Sequence, residues 1–205
     1  MAKGRPKSAA DWDRRYGDDD VPWDSETPDV HLRRFIEGWI TAPCRALEVG
    51  CGTGTNAIWL AELGFEVVGL DLSVIAVERA KVRASEAKAS CQLLAADIMK
   101  DPVPGGPFGL IFDRGCFHVF DEADERAQFA KRVAELLERE GVWLSLIGST
   151  DGPPRDTGPP RRSAAEIVAA VEPHFEVLDL KSTTFDEEDH AHARAWVLYA
   201  RRREA

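Results

Sequence analysis

The chain has 205 residues, 44% hydrophobic and 30% charged, which is length enough for one domain with a full core. Its formal net charge of −10 argues against a large polyanionic partner such as nucleic acid, because phosphate binding needs a basic face. No apolar run reaches the length of a transmembrane helix, so no membrane partner is expected. Four scattered cysteines, Cys44, Cys51, Cys91 and Cys116, form no C-x-x-C pair. Free buried thiols are therefore expected, not a zinc site or a disulfide framework.

In chain order, residues 1–26 are polar apart from Trp12, Tyr16 and Trp23. Their basic start lacks an apolar signal core and reads as the frayed tail of a cytoplasmic protein. Thr27 and Pro28 are expected to open a helix, as N-cap and first helical residue. Leu32, Phe35, Ile36 and Trp39 then follow at helical spacing to about Ile40. Arg45–Val49 reads as a buried strand, and Thr55–Leu63 as a helix ended by Gly64. Glu66–Leu70 is the second strand, and Ser73 caps a helix to about Ala87. Cys91–Ala95 is the third strand and Phe108–Phe112 the fourth, after a turn-rich loop from Asp101 to Pro107.

Ala123–Arg139 is an amphipathic helix with Gly141 past its end. Val142–Ile147 is the fifth strand, and the proline-rich stretch Ser149–Arg162 an irregular loop. Ser163 and Glu166 form a capping box that starts another helix. Phe175–Lys181 and Ala193–Arg201 close the chain as strands joined by the acidic loop Phe185–His192. Trp39, Trp59, Trp143 and Trp196 fall inside these elements and read as core. Strands alternating with helices imply a doubly wound, Rossmann-like α/β sheet of about seven strands. No helix separates the last two strands, so the last should run antiparallel. Residues 27–205 form the single domain, with 1–26 as a separate amino-terminal segment.

The chemistry concentrates in Leu47-Glu-Val-Gly-Cys-Gly-Thr-Gly54 and in Asp71 at the end of the next strand. An open parallel sheet holds a nucleoside in this way. Glycines admit the backbone to the ligand, and the acid takes ribose hydroxyls. The alternating spacing of Gly50, Gly52 and Gly54 is not the G-x-G-x-x-G of nicotinamide enzymes. It resembles motif I of class I S-adenosylmethionine (SAM) methyltransferases, whose fold has the same antiparallel ending.

The resemblance implies that Glu48 orders the glycine loop and the methionine amino group, and that Asp71 accepts both ribose hydroxyls with Leu72 beside the adenine. Asp97 would accept from the adenine amine, with Ile98 packed on the ring. Asp113 and Arg114 would lie nearest the methionine portion. Cys116, Phe117 and His118 would line the acceptor pocket. His118 is a candidate general base, since imidazole titrates near neutrality. Plainer readings stand beside these. Asp71 could simply face a helix dipole, Asp97 could be a surface turn acid, Cys116 a core thiol, and Phe117 and His118 the start of the next helix.

The amino-terminal aromatics want a surface to cover, and aromatic faces attract a sulfonium cation by about 0.5–2 kcal/mol each. Such a segment would act as a lid that excludes water. Trp12-x-x-x-Tyr16 followed by Pro22-Trp-Asp24 resembles the thiopurine and thiol/halide methyltransferase branch. Gly158-Pro-Pro160 resembles an acceptor-side loop of that branch, with Arg161 beside it. His190 and His192 lie in an acidic run that reads as a solvated hairpin tip, not a metal site.

The expected function is SAM-dependent methylation of a small acceptor, a thiol or other soft nucleophile, by a monomer or weak homodimer. A hydroxyl acceptor would need His118 or Asp113 as base. The rivals are a nicotinamide oxidoreductase and a catalytically silent SAM-binding scaffold.

Overall fold

The computed structural model describes residues 8–40, 42–152, 158–185 and 193–204. The apolar runs become β1 (Arg45–Val49), β2 (Glu66–Asp71), β3 (Cys91–Ala95), β4 (Phe108–Arg114), β5 (Leu137–Gly148), β6 (Phe175–Thr184) and β7 (Arg194–Arg202). They form one sheet in the order β3-β2-β1-β4-β5-β7-β6. The first five pair in parallel, whereas β7 lies antiparallel between β5 and β6. That is the expected Rossmann-like α/β sheet with its antiparallel ending. It follows that β6 runs the same way as β5, so the carboxyl ends of β1 to β6 share one edge. The strand order reverses between β1 and β4, which makes the crevice there the natural ligand site.

Among the described residues six helices surround the sheet: α1 (Ala9–Gly17), α2 (Val30–Trp39), α3 (Thr55–Glu62), α4 (Val74–Ala87), α5 (Ala123–Leu136) and α6 (Ala164–Val171). A 3₁₀ turn spans Phe117–Val119. Strand alternation divides the core. Leu47, Val49, Ile111 and Trp143 pack against α5 and α6 residues such as Phe129 and Ile167. Ala46, Leu110, Phe112 and Leu144 pack against Phe35 of α2, Leu60 of α3 and Ala80 of α4. Ser73 caps α4 and the Ser163–Glu166 capping box starts α6, both as expected.

The departures have local causes. Residues 9–17 form α1, capped by Ser8, where no element was expected. Helix α2 starts at Val30 because Asp29, not Thr27, is its N-cap; Asp29 Oδ1 accepts the amides of His31 and Leu32. Strand β4 runs on through Asp113 and Arg114. Helix α5 stops before Arg139 because Leu137 is fully buried and pairs with Phe108, and the left-handed Glu140 (φ 60°) then breaks the register. Trp143 is core, but Trp39 is 52% exposed, stacked on Phe35. All four cysteines are free, yet only Cys51 is fully buried. No helix among the described residues is long and apolar enough to cross a membrane. His190 and His192 lie outside the described residues, among which no cluster is placed to hold a metal ion.

Candidate active site

The loop from β1 to α3 is built on three left-handed glycines, Gly50 (φ 70°), Gly52 (φ 53°) and Gly54 (φ 86°). Each also permits a close approach. A Cβ would lie 2.2 Å from Cys116 Sγ at Gly50, 2.9 Å from Tyr16 Oη at Gly52, and 3.0 Å from Ala80 Cβ at Gly54. Any side chain here would be strained in the backbone and would displace a neighbour.

Glu48 points from β1 to the α2–α3 side, 2% exposed. Its Oε1 accepts from Asn56 Nδ2 at 2.9 Å, whereas its Oε2 has no partner. Burial, reinforced by the charges of Asp71 and Asp29, pushes its carboxyl up to about 8. Asp71 accepts the Gly52 amide on one oxygen (2.9 Å) and the Ser73 amide on the other (2.8 Å). Each of these oxygens keeps a second lone pair for another donor, and burial raises this carboxyl too. A buried carboxylate oxygen without a donor asks for a cation or a hydrogen-bond donor. The ammonium and ribose of S-adenosylmethionine supply those groups, so the cradle fits that cofactor.

Past β3, Asp97 accepts the Met99 amide (2.9 Å) and pairs with Lys100 (2.8 Å), while Ile98 is buried in the core and Leu72 is half-buried. Both oxygens of Asp97 thus have a partner, but this paired end is still the third carboxyl end along the same edge.

The end of β4 corrects two expectations. Asp113 is fully buried and faces Trp143. It accepts from the amides of Cys116 (2.9 Å) and Phe117 (3.0 Å) and from Trp143 Nε1 (2.9 Å). It holds the turn after β4 and has no path to a substrate proton. Phe117 is fully buried, edge-on to Trp143 and Phe129, and so belongs to the core and not to a pocket wall.

His118 is 4% exposed, and its Nδ1 accepts the Gly148 amide at 2.8 Å. A backbone N–H can only donate, so the neutral ring carries its proton on Nε2. On that nitrogen the neutral ring holds no lone pair with which to act as a base. Cys116 Sγ, over Gly50, donates to Val49 O at 3.2 Å.

Arg114 is a tie-point. Its Nε pairs with Asp29 Oδ2 (3.0 Å), its Nη1 bonds Trp23 O (3.1 Å), and its Nη2 bonds Phe185 O (3.4 Å). Arg161 folds back onto its own loop, donating to the carbonyls of Ser149, Thr150, Asp151 and Gly152. It shapes that loop from within.

The amino-terminal segment lies across the cradle. Tyr16, 2% exposed, carries its hydroxyl over Gly52 and accepts from Trp23 Nε1 at 3.2 Å. Trp12 meets Trp23 edge-on at 5.5 Å, and the Arg15 guanidinium covers the Trp23 ring at 4.5 Å. Asp13 accepts from Ser73 Oγ (2.6 Å) and the Ile75 amide (3.2 Å), adding a long-range cap to α4. Thr53 Oγ1 donates to Asp24 (2.7 Å), and Thr55 Oγ1 to Ser25 O (2.5 Å). A groove of about 610 Å³ lined by Val21, Asp24, Thr53 and Arg83 lies on the outer side of this segment, away from Glu48. Asp13, Asp29 and Asn56 carry no motif of their own. The only sequence signal for Asp29 is its position ahead of an apolar helical run.

Comparison with known proteins agrees with this geometry. The family model described as thiopurine S-methyltransferase matches residues 7–203. The chain is 32% identical over 155 residues to a probable thiol methyltransferase 2 of Arabidopsis thaliana, covering 75% of this chain and 67% of that one. It is 30% identical over 175 residues to thiocyanate methyltransferase 1 of Brassica oleracea, covering 83% and 76%. The crystal structure of Burkholderia thailandensis 1,6-didemethyltoxoflavin-N1-methyltransferase, with S-adenosylhomocysteine bound, superposes with a TM-score of 0.77. At 18% identity over 98% of this chain and 94% of that one, this is a likeness of fold. With a family match spanning nearly every described residue, the chain belongs to the thiopurine S-methyltransferase family and is a methyltransferase.

Proposed function

We propose that the enzyme methylates the sulfur of a small thiol, or a similar soft anion, using S-adenosylmethionine. The observation that carries the acceptor class is the state of the two candidate bases. Asp113 is enclosed by three N–H donors, and the His118 lone pair is taken by Gly148. An acceptor that reaches the site already ionised needs neither of them. A thiol, with a pKa of about 8.5, supplies a useful thiolate fraction at neutral pH. A hydroxyl does not. The thiol and thiocyanate methyltransferases among the relatives support the same reading.

When bound, the cofactor supplies a methyl group on a sulfonium and leaves as S-adenosylhomocysteine. Glu48 binds its ammonium through the unpartnered Oε2, Asp71 its ribose hydroxyls, and the residues after β3 its adenine. Gly50, Gly52 and Gly54 admit it to the backbone. Trp12, Tyr16 and Trp23 form a lid that attracts the cation and keeps water out. The protein's contribution is alignment and desolvation, which suits a displacement that needs no protein nucleophile. The working form is a cytoplasmic monomer or weak homodimer without a nucleic-acid partner.

Calorimetric titration with S-adenosylhomocysteine, with NAD in parallel, tests the cofactor. Turnover of a panel of thiols and phenols tests the acceptor. Binding of the first alone with thiol turnover is expected; phenol turnover without thiol turnover overturns the acceptor class.

A further inference from the structure

Because β6 runs with β5, its last residues arrive at the same edge as the ends of β1 and β4, one strand beyond the end of β5. Phe185 is the first residue past that strand, and its position is heavily determined. Its amide donates to Ala193 O (3.4 Å), and its carbonyl accepts from Arg114 Nη2 (3.4 Å). The two residues before it are tied to α2, where His31 Nε2 meets Thr183 Oγ1 at 3.2 Å and Thr184 O at 3.4 Å. Its ring has the Arg114 guanidinium 5.4 Å from its centroid and meets the His118 ring edge-on at 5.8 Å.

Glu48 near the end of β1, Asp71 at the end of β2 and Asp97 just past β3 lie on the cofactor side of the point where strand order reverses. Arg114 at the end of β4 and His118 past it lie on the other side. Of these, Phe185 meets Arg114 and His118. The half-buried ring packs against the core on the α2 side of the sheet and against these two side chains, so it is a fixed wall beside them. We propose that Phe185 sets the size limit of the methyl-acceptor site and holds the enzyme to small thiols. This rests on the thiol-methylation reading above. Removing the ring leaves room for a bulkier acceptor, and enlarging it excludes more. One ring's worth of apolar contact discriminates acceptors by about tenfold or more.

The test compares kcat/KM for hydrosulfide and for naphthalenethiol in the wild type, Phe185→Ala and Phe185→Trp. Affinity for S-adenosylhomocysteine is measured alongside. The naphthalenethiol-to-hydrosulfide ratio should rise about tenfold or more in Phe185→Ala and fall in Phe185→Trp, with cofactor-product affinity changed by less than about twofold. A merely structural residue would move both acceptors together. A ratio unchanged in variants that melt cooperatively overturns this proposal alone. A wild type that methylates neither thiol overturns the thiol reading and this proposal with it. Should Phe185→Ala fail to fold, Phe185→Leu and Phe185→Trp carry the same comparison.

Discussion

Replacing Glu48 by glutamine isolates the most informative charge in the protein. In the folded chain this carboxyl keeps its proton up to about pH 8, against 4.5 for the ordinary group. Between those values the folded state binds more protons than the unfolded one, so its contribution to stability falls as pH rises. At about 1.4 kcal/mol per pH unit, ionisation of Glu48 in the unfolded chain alone costs the fold about 3 kcal/mol by neutral pH and about 5 kcal/mol once past the folded value. Glutamine has no proton to lose.

Below about pH 4 the two proteins should therefore differ only by packing, because Glu48 is then neutral in both the folded and the unfolded chain. Above that the Glu48→Gln variant should gain on the wild type with every unit. Asp113, whose carboxyl is also raised by burial, is common to both proteins and cancels in the difference; Asp71, whose charge acts on Glu48, is coupled to it and adds to the same trend. Urea melts across this range measure it directly. Saturating S-adenosylhomocysteine should shrink the slope in the wild type, because an ammonium beside Oε2 favours the ionised carboxylate, and binding should release a proton. Parallel stability curves for the two proteins would refute the assignment.

Gly52→Ala puts a methyl group 2.9 Å from Tyr16 Oη at a left-handed backbone; S-adenosylhomocysteine affinity by calorimetry should fall about tenfold or more. Asp113→Asn turns an amide group toward three N–H donors and should cost about 2–4 kcal/mol in urea melts, more than its distance from solvent alone suggests. The pH midpoint of kcat/KM should move with the pKa of the thiol supplied; a midpoint that stays the same for every thiol would assign the titration to a base of the protein. Arg114→Ala removes the ties to Trp23 O and Asp29. Through Trp23, which carries the Arg15 guanidinium on its ring and bonds Tyr16, it should speed tryptic cleavage at Arg14 and Arg15, whereas S-adenosylhomocysteine should slow that cleavage in the wild type. Equal cleavage with and without ligand would sink the lid.

Much of the fold is legible in the sequence because its signals are local. Period, caps and glycines specify β1 to β3, α3, α4 and α6 within a residue or two. The antiparallel ending follows from a missing helix between the last two strands. The cofactor half of the site is legible for the same reason, since Glu48, the three glycines and Asp71 sit in consecutive elements. The acceptor half is not. Asp113 and Arg114 look like loop residues because charge usually marks a strand's end, but Trp143 offers Asp113 a buried donor that lies 30 residues away in sequence. The His118 tautomer depends on the Gly148 amide, again 30 residues away. Helix α1 shows weak apolar periodicity, and the contacts of its Asp13 with Ser73 and Ile75 are 60 and 62 residues distant in sequence. These are tertiary pairings, and a one-dimensional pattern carries no trace of them.

Two buried carboxylates at the ends of adjacent strands show how structure turns residue type into role. Glu48 and Asp113 are each at most 2% exposed, and burial raises both. On composition alone either could be an acid, a base or a ligand for a cation. Their donors separate them. Asp113 has three N–H groups on its two oxygens, so the fold itself satisfies it and substitution should be felt in stability. Glu48 has Asn56 on one oxygen and nothing on the other. That deficit destabilises the protein alone and is relieved when a cation arrives. The same reasoning removes His118 from the list of bases, because its one acceptor nitrogen is filled from the backbone. What remains for chemistry is an unfilled acceptor on the cofactor side. It can hold the ammonium of a sulfonium amino acid, and with both candidate bases occupied the proton of the acceptor is left to solvent.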